Sequence, residues 1–240
     1  VLWKRLGTLK ERLEAQFPGC QARAIADTAP LLERDFARLA GLGWIAKNTM
    51  LIHRGIGSYT VLGALLTDLE LEPDSPHEAN HCGTCTRCLE ACPTDAFPAP
   101  GQLDARKCIS YWTIEHRGPL PDEAADQLHG WLFGCDICQE VCPWNRKSPA
   151  GRAPELQADP RRMAVDLVAL LQSDDETLAS LLRGSAMTRT KRSGLLRNAA
   201  ALLGSSDLAD PDVINALRSH LDDPDDVVRT ACAKAMNRLN

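Results

Sequence analysis

The spacing of the cysteines constrains this 240-residue chain more than any other feature. Eight of the ten cysteines fall within residues 82–142. Four of them form a CxxCxxCxxxCP run that begins at Cys82, and three more form a CxxCxxxCP run that ends at Pro143. The first pattern is that of bacterial proteins with two [4Fe–4S] clusters, in which the cysteine before the proline binds the other cluster. The spacing therefore predicts two cubane clusters.

Crossed ligation divides these eight cysteines into two sets. The second run has one cysteine fewer than the first, and Cys108 between the runs restores the count. The first cysteine set is Cys82, Cys85, Cys88 and Cys142. The second cysteine set is Cys92, Cys108, Cys135 and Cys138. Structural zinc is the alternative because it also takes four thiolates, but zinc sites seldom use a third CxxC step or a CxxxCP ending. Disulfides are less favoured still, because a stapled framework is typical of short secreted chains.

The composition is that of a globular protein, with 44% hydrophobic and 25% charged residues. No apolar run reaches the roughly 20 residues of a membrane helix, so we expect no membrane partner. Because the net charge is −5, any nucleic-acid site must be local. Clustered thiols indicate a reducing compartment and hence a cytoplasmic protein, which we expect to be a monomer. Residues 1–5 do not resemble a signal peptide, and the first residue is not a start methionine. We therefore expect a chain cut from a longer one.

Hydrophobic periodicity predicts a mixed chain that becomes helical after the cysteines. Helices are predicted over 1–17 and 31–40, and strands over 22–26, 50–52 and 58–62. Proline-rich linkers are predicted over 72–76 and 148–154.

From about residue 161 the chain is predicted to be helical to its end, including helices over 195–203 and 227–239. Pro211 and Pro224 mark two similar helix starts. This weak internal repeat resembles HEAT repeats, which stack pairs of helices. A plain helical subdomain is the alternative.

Several stretches around the cysteines and upstream of them resemble the epoxyqueuosine reductase family. The stretches are residues 27–34, 41–52, 103–115, 134–139 and 141–145. The family reduces an epoxide on a modified base in tRNA, the last step of queuosine synthesis, with cobalamin and two [4Fe–4S] clusters, and it is related to reductive dehalogenases. The chain departs from the family at Ala46, where glycine is usual.

The resemblance implies an α+β protein with three consecutive domains. Residues 1–75 would be part of a truncated α/β cobalamin-binding domain, because family members have a further upstream segment that supplies the rest of it. Residues 76–150 would form the two-[4Fe–4S] ferredoxin-like domain, and residues 155–240 a HEAT-like tRNA-binding domain. The implied partners are the tRNA anticodon stem-loop carrying epoxyqueuosine and a reducing electron donor.

Asp27 is the candidate catalytic residue. It follows an apolar strand and precedes a helix, where a carboxylate whose pKa is raised by burial can act as a general acid. A helix N-cap is the alternative, because aspartate is favoured there. The resemblance places the proton donor at this position. Further polar groups are candidates for cobalamin contacts in addition to Asp27: Lys47, Asn48, Ser58, Ser110 and Asp136.

A basic segment, residues 183–198, carries five positive charges and no acid. Such a patch can bind phosphates on an otherwise acidic protein, although a solvated basic loop is the alternative. The resemblance favours contact with the tRNA stem. The candidate tRNA contacts are Glu115, Arg117, Arg189, Lys191, Arg192 and Arg197.

Two other functions compete with the reductase. A ferredoxin-type electron carrier would need neither the glycine-rich N-terminal region nor the basic helical tail. A reductive dehalogenase-like corrinoid iron–sulfur protein would lack the HEAT-like tail.

Overall fold

The computed structural model describes residues 1–27, 29–151, 153–206 and 210–239. Thr28 of the 27–34 stretch, Arg152 of the second predicted linker, and residues 207–209 and 240 of the tail lie outside the described residues. The α-helices are, in chain order, α1 (Leu2–Gln16), α2 (Glu33–Leu39), α3 (Arg87–Glu90), α4 (Asp122–Asp126), α5 (Ile137–Glu140), α6 (Pro160–Met163), α7 (Leu167–Leu171), α8 (Asp175–Leu182), α9 (Lys191–Gly204), α10 (Pro211–Arg218) and α11 (Asp226–Leu239). Short 3₁₀ turns span Ala105–Lys107, Pro143–Asn145, Pro154–Leu156 and Ala186–Arg189, and a π-helix spans Tyr111–Glu115.

The strands pair in two small antiparallel sheets. The strands are β1 (Ala22–Ile25), β2 (Trp44–Ile45), β3 (Leu51–Ile52) and β4 (Ala64–Thr67). β1 pairs with β4, and β2 pairs with β3. The predicted mixture of helices and strands is confirmed at this level. In the described part of the chain both sheets are antiparallel, which differs from the parallel sheet that a complete α/β domain would contain.

The strand predicted over 58–62 is wrong. The Thr60 N–H donates to the Ser58 carbonyl (2.8 Å), which closes a tight turn within this stretch. The extended backbone begins later, at Ala64, where it pairs with Ile25. The other predicted strands and both predicted N-terminal helices are present, with ends that differ by one or two residues.

The contacts divide the chain into two compact units. The first unit comprises Val1–Ala91, Phe97–Leu103 and Ile137–Gln157, and the second comprises Cys92–Ala96, Asp104–Asp136 and the chain from Ala158 onward. The cysteine-rich region predicted to form the domain over 76–150 therefore contributes to both units. The chain leaves the first unit after Ala91, returns to it for Phe97–Leu103, and returns again at Ile137.

The second unit encloses its apolar core between α7, α8, α9, α10 and α11. Helix α9 lies at the centre of this core, because residues 194–201 are all buried. α9 and α11 approach closely at Gly204, where an added Cβ would lie 2.6 Å from the Ala235 Cα. The predicted helical tail is confirmed, and Pro211 occupies the first turn of α10. Among the described residues, no helix is both long and apolar enough to span a membrane.

Candidate iron–sulfur centre

The first cysteine set converges on one cavity of the first unit. The cavity has a volume of about 280 Å³, and all four cysteines of the set line it. Burial raises the pKa of Cys88, and electrostatic interactions with Cys82, Cys142 and Cys85 raise it further. Burial likewise raises the pKa of the Cys142 thiol, with contributions from Cys82 and Cys85. Four cysteine sulfurs around one space are the donor set of a [4Fe–4S] cluster, so these residues fit the predicted group.

Lys47 fixes the loop that carries the first two of these cysteines. Its Nζ donates to the carbonyls of Gly83 (2.8 Å) and Cys85 (2.9 Å). A single lysine thus satisfies two loop carbonyls and puts a positive charge beside thiols that lose their protons when they bind iron. Lys47 also lines the cavity.

A buried polar network holds the segment that carries Cys142. Ser58 Oγ donates to Gln139 Oε1 (2.9 Å) and accepts from Asn145 Nδ2 (2.9 Å), and the Ser58 N–H donates to Asn145 Oδ1 (2.8 Å). Gly57 permits this approach, because an added Cβ would lie 2.1 Å from Asn145 Oδ1 and its φ is +74°. Asn48, only 2% exposed, donates through Nδ2 to the Cys138 carbonyl (3.0 Å).

These contacts correct the predicted role of two residues. Asn48 and Ser58 were expected to contact cobalamin, but both side chains are buried and bonded within the protein. Their polar groups position the cysteine segments instead. Asp27 and Lys47 of the first unit, and half-buried Ser110 and Asp136 of the second, stay accessible.

An aromatic cluster packs beside the first cysteine set. The Trp44 ring lies 4.8 Å from Trp144, 4.8 Å from His81 and 5.6 Å from His77. Trp44 is 2% exposed and shares a buried apolar cluster with Cys142. Within the described residues its indole Nε1 has no hydrogen-bond partner. Two members of this cluster, His81 and Trp144, line the cavity, so its wall on this side is aromatic.

The second cysteine set is divided by the chain's two units. Cys92, Cys108 and Cys135 belong to the second unit, and Cys138 belongs to the first. The Cys92 sulfur accepts a hydrogen bond from the Ala96 N–H (3.4 Å). In the described chain the ten cysteines form no disulfide bonds.

The π-helix Tyr111–Glu115 follows Cys108 and is held by side chains of α9. Arg197 donates to the carbonyls of Trp112, His116 and Gly118 at 2.7–2.8 Å. Asn198 Nδ2 donates to the Thr113 carbonyl (2.9 Å). π-Helical turns are rare and often occur at functional sites.

Arg197 was predicted to contact tRNA, but its side chain is too deeply buried to do so. Its side chain is 1% exposed, and its guanidinium is bonded to backbone carbonyls and to Asn198. It cannot reach a phosphate.

The other predicted tRNA contacts are exposed or half-exposed. Arg189 forms an ion pair with Glu115 (2.8 Å). Arg192 pairs with Asp175 (2.6 Å) and Asp223 (2.8 Å), so its charge is largely neutralised. Lys191 is exposed. Arg117, also exposed, donates to the Ile114 carbonyl at the end of the π-helix (3.1 Å).

Asp27 is an exposed residue at the end of β1, after the buried Ala26. Its φ of +60° is uncommon for a residue with a side chain, although aspartate tolerates it better than most. The helix-cap alternative does not hold, because α2 begins at Glu33 and its N-cap is Leu32.

Sequence reasoning missed the polar residues that position the cysteine segments. Gln139, Asn145, Thr113 and Asn198 are buried or half-buried and bonded to backbone or side chains near a cysteine. The first three lie within five residues of a cysteine, which is the one signal that could have indicated them.

Comparison with known proteins is consistent with this geometry. A model for a 4Fe-4S double cluster binding domain matches residues 81–145. Residues 81–145 therefore belong to the class of double-cluster iron–sulfur domains.

Comparison with individual relatives identifies the family of the chain. The chain is 48% identical over 211 residues to an epoxyqueuosine reductase of Gloeobacter violaceus, covering 86% of this chain and 66% of that protein. It is 45% identical over 206 residues to one of Synechocystis sp., covering 85% and 71%. A crystal structure of epoxyqueuosine reductase with a tRNA-Tyr epoxyqueuosine-modified stem loop superposes with a TM-score of 0.90 at 33% identity, covering 99% of this chain and 62% of that one. The chain belongs to the epoxyqueuosine reductase family. It spans about two thirds of the length of the curated relatives that it matches.

Proposed function

We propose that the protein is an oxidoreductase that reduces the epoxide of epoxyqueuosine in tRNA to queuosine, the last step of queuosine biosynthesis. The observation that carries this proposal is the convergence of Cys82, Cys85, Cys88 and Cys142 on one cavity, in a chain of this family. The relative crystallised with a modified tRNA stem loop supports tRNA as the substrate.

The two cysteine sets would each hold one [4Fe–4S] cluster, and the clusters supply one-electron transfer. Around the first set, Lys47 and the network of Ser58, Gln139 and Asn145 keep the thiols in place. Removal of the epoxide oxygen as water consumes two electrons and two protons, so the protein must also be supplied by a reducing electron donor.

Cobalamin is the second proposed cofactor, and bound cobalamin would supply reducing equivalents at the epoxide. Asn48 and Ser58 do not fit as its contacts, because both are buried and bonded elsewhere. The accessible candidates are Asp27, Lys47, Ser110 and Asp136.

Asp27 is proposed to deliver a proton to the departing oxygen. Asp27 is exposed at a strand end, and the N-cap of the following helix, α2, is Leu32. The local backbone is held in a left-handed conformation, and such strain is often found at functional sites.

Surface charges of the second unit are proposed to contact the tRNA. Arg189, Lys191 and Arg117 are exposed, and Glu115 orients Arg189 through their ion pair. Arg192 contributes less, because two carboxylates already bind it.

A tRNA substrate and reduced clusters imply a cytoplasmic protein.

Anaerobic reconstitution tests the proposal. The protein is loaded with iron, sulfide and cobalamin, supplied with a chemical reductant and incubated with tRNA that carries epoxyqueuosine. We expect queuosine in the digested tRNA by mass spectrometry, and none when cobalamin is omitted. Two clusters without corrinoid binding would indicate an electron carrier, and turnover of a halogenated organic compound without tRNA binding would indicate a dehalogenase.

A further inference from the structure

Helix α9 buries a positive charge in the second unit. The Arg197 side chain is 1% exposed. Burial lowers the pKa of Arg197 to about 10, and the neighbouring charge of Arg117 contributes, yet this value keeps the guanidinium charged at neutral pH. Among the residues that the structure describes, no carboxylate is paired with it. The groups that accept its hydrogen bonds in the described structure are all neutral, so its charge acts on its surroundings with little compensation.

The backbone that Arg197 contacts leads directly to Cys108. The guanidinium donates to the Trp112 carbonyl (2.7 Å), and the Trp112 N–H donates to the Cys108 carbonyl (3.2 Å). Arg197 also holds the carbonyls of His116 and Gly118 (2.8 Å each). It therefore restrains the whole segment that follows this cysteine.

A second chain of hydrogen bonds leads to Cys135. Asn198 Nδ2 donates to the carbonyls of Thr113 and Leu132 (2.9 Å each). The Thr113 hydroxyl donates to the Ile109 carbonyl (2.8 Å) and accepts from the N–H of Gly134, the residue before Cys135 (3.0 Å).

Apolar packing brings the same two segments together. Ile109, next to Cys108, is buried in an apolar cluster against which Cys135 and Trp112 pack. The segments that carry two cysteines of the second set are thus joined both by this packing and by the side chains of Arg197 and Asn198.

We propose that Arg197 is a positioning residue that raises the reduction potential of the second cluster through its buried charge. The proposal rests on the ligand set assigned above to that cluster. An added electron makes the cluster more negative, and a nearby cation that water does not screen stabilises this reduced form. Lys47, the cation beside the first set, is only half-buried and is better screened.

The test is a potentiometric titration of the reconstituted protein followed by electron paramagnetic resonance. A Cys108→Ser variant identifies the signal of the second cluster. Arg197→Gln removes the charge and keeps hydrogen-bonding capacity, whereas Arg197→Lys keeps the charge and loses most of the carbonyl contacts. We expect a more negative midpoint potential of the second cluster for the glutamine variant, a midpoint near wild type for the lysine variant, and no change for the first cluster.

Arg162→Gln is the matched control. Arg162 also donates to two backbone carbonyls of the second unit, those of Leu181 (2.9 Å) and Arg183 (2.8 Å), but it is partly exposed and paired with Asp159. Its loss should leave both midpoints unchanged. If Arg197→Gln does not fold, Asn198→Asp places a carboxylate against the guanidinium and should lower the same midpoint.

Equal shifts for the glutamine and lysine variants, or no shift in any variant of this pair of residues, would overturn the proposal and leave Arg197 a purely structural residue. Iron analysis separates this failure from that of the proposed function. Wild-type protein that binds only one cluster would overturn the double-cluster assignment itself.

Discussion

The two units differ in what their cores are made of. In the first unit, Cys142 is part of the buried cluster that contains Trp44 and Ile52, and Cys82 packs against it. In the second unit, five helices enclose a core that is mostly Leu, Ala and Val and that includes, among the described residues, no cysteine of either set. Cys135 packs only against a smaller apolar cluster of this unit, the one that contains Ile109. The comparison indicates that cluster binding is part of the folding of the first unit, because a group held by core residues contributes its binding energy to stability. The second unit can form its helical core without a cluster.

The two units also differ in the charge of the polar side chains that they bury. The first unit uses neutral side chains, Ser58, Gln139 and Asn145, to hold a cysteine segment. The second unit buries ions, Arg197 and Asp223. Charged groups in a core make stability depend on pH, whereas neutral networks do not.

Loss of one cysteine should give the largest difference between the units. Cys142→Ser should abolish the first cluster and about half of the bound iron, since a [4Fe–4S] cluster needs four thiolates. Hydrogen exchange should then quicken in β2 and β3 while α7–α11 keep their protection. Cys20→Ser, in the first unit but outside both sets, is the control. If Cys142→Ser removed the signal that Cys108→Ser also removes, the crossed ligand sets would be wrong.

The second largest effect is expected for catalysis at Asp27. Asp27→Asn keeps the shape and removes the transferable proton, so turnover should fall about 10²-fold or more. Cluster content and tRNA affinity should not change, because the residue is exposed and outside the cysteine loops. Asp35→Asn, an exposed carboxylate in the first turn of α2, should retain full activity. An Asp27→Asn enzyme as fast as wild type would eliminate it as the proton donor.

Acid should act selectively on the second unit. Burial alone would raise the pKa of Asp223, but hydrogen bonds from Arg192, the Asp225 N–H and His220 outweigh it and hold the pKa well below its usual range. The ionised Asp223 carboxylate therefore stabilises the fold fully above about pH 4, the pKa of an aspartate in an unfolded chain. This stabilisation is lost as the pH falls below that value. Urea unfolding followed by far-UV circular dichroism should show this loss.

The matched variants are Asp223→Asn and Asp222→Asn. Loss of the buried Asp223 charge weakens the bonds that it accepts from Arg192, His220 and the Asp225 N–H, and should cost about 2–4 kcal/mol at pH 7 while weakening the acid dependence. The exposed neighbour Asp222 should change little. Equal acid sensitivity in wild type and Asp223→Asn would contradict the assignment.

The smallest effect concerns tRNA affinity. Replacing Arg189 and Lys191 by alanine should reduce the slope of log affinity against log salt by up to about 2, since each phosphate contact contributes about 0.9. Arg192→Ala should leave the slope nearly unchanged, because its charge is already paired. Filter binding at several salt concentrations measures both. An unchanged slope in the double variant would place tRNA recognition elsewhere.

Local sequence patterns predicted those parts of the structure that are determined by residues close together in the sequence. Cysteine spacing indicated the first set, and apolar periodicity indicated α1, α9 and α11. The roles of buried polar residues could not be predicted in this way, because their partners are distant in sequence. Ser58 and Gln139 are 81 residues apart, and Arg197 and Trp112 are 85 apart. A polar side chain at a helical position looks the same in sequence whether it faces solvent or a carbonyl across the core.

The division of the first unit into three separated stretches affects the order of events during synthesis. Cys82, Cys85 and Cys88 emerge from the ribosome first, and Cys142 follows 54 residues after Cys88. At about 5–20 residues per second, this interval lasts roughly 3–11 seconds. During that time the first three thiols lack the fourth ligand, Cys142, and are exposed to oxidation and to other metals. Correct loading therefore favours a chain that is already complete over one that is still being made.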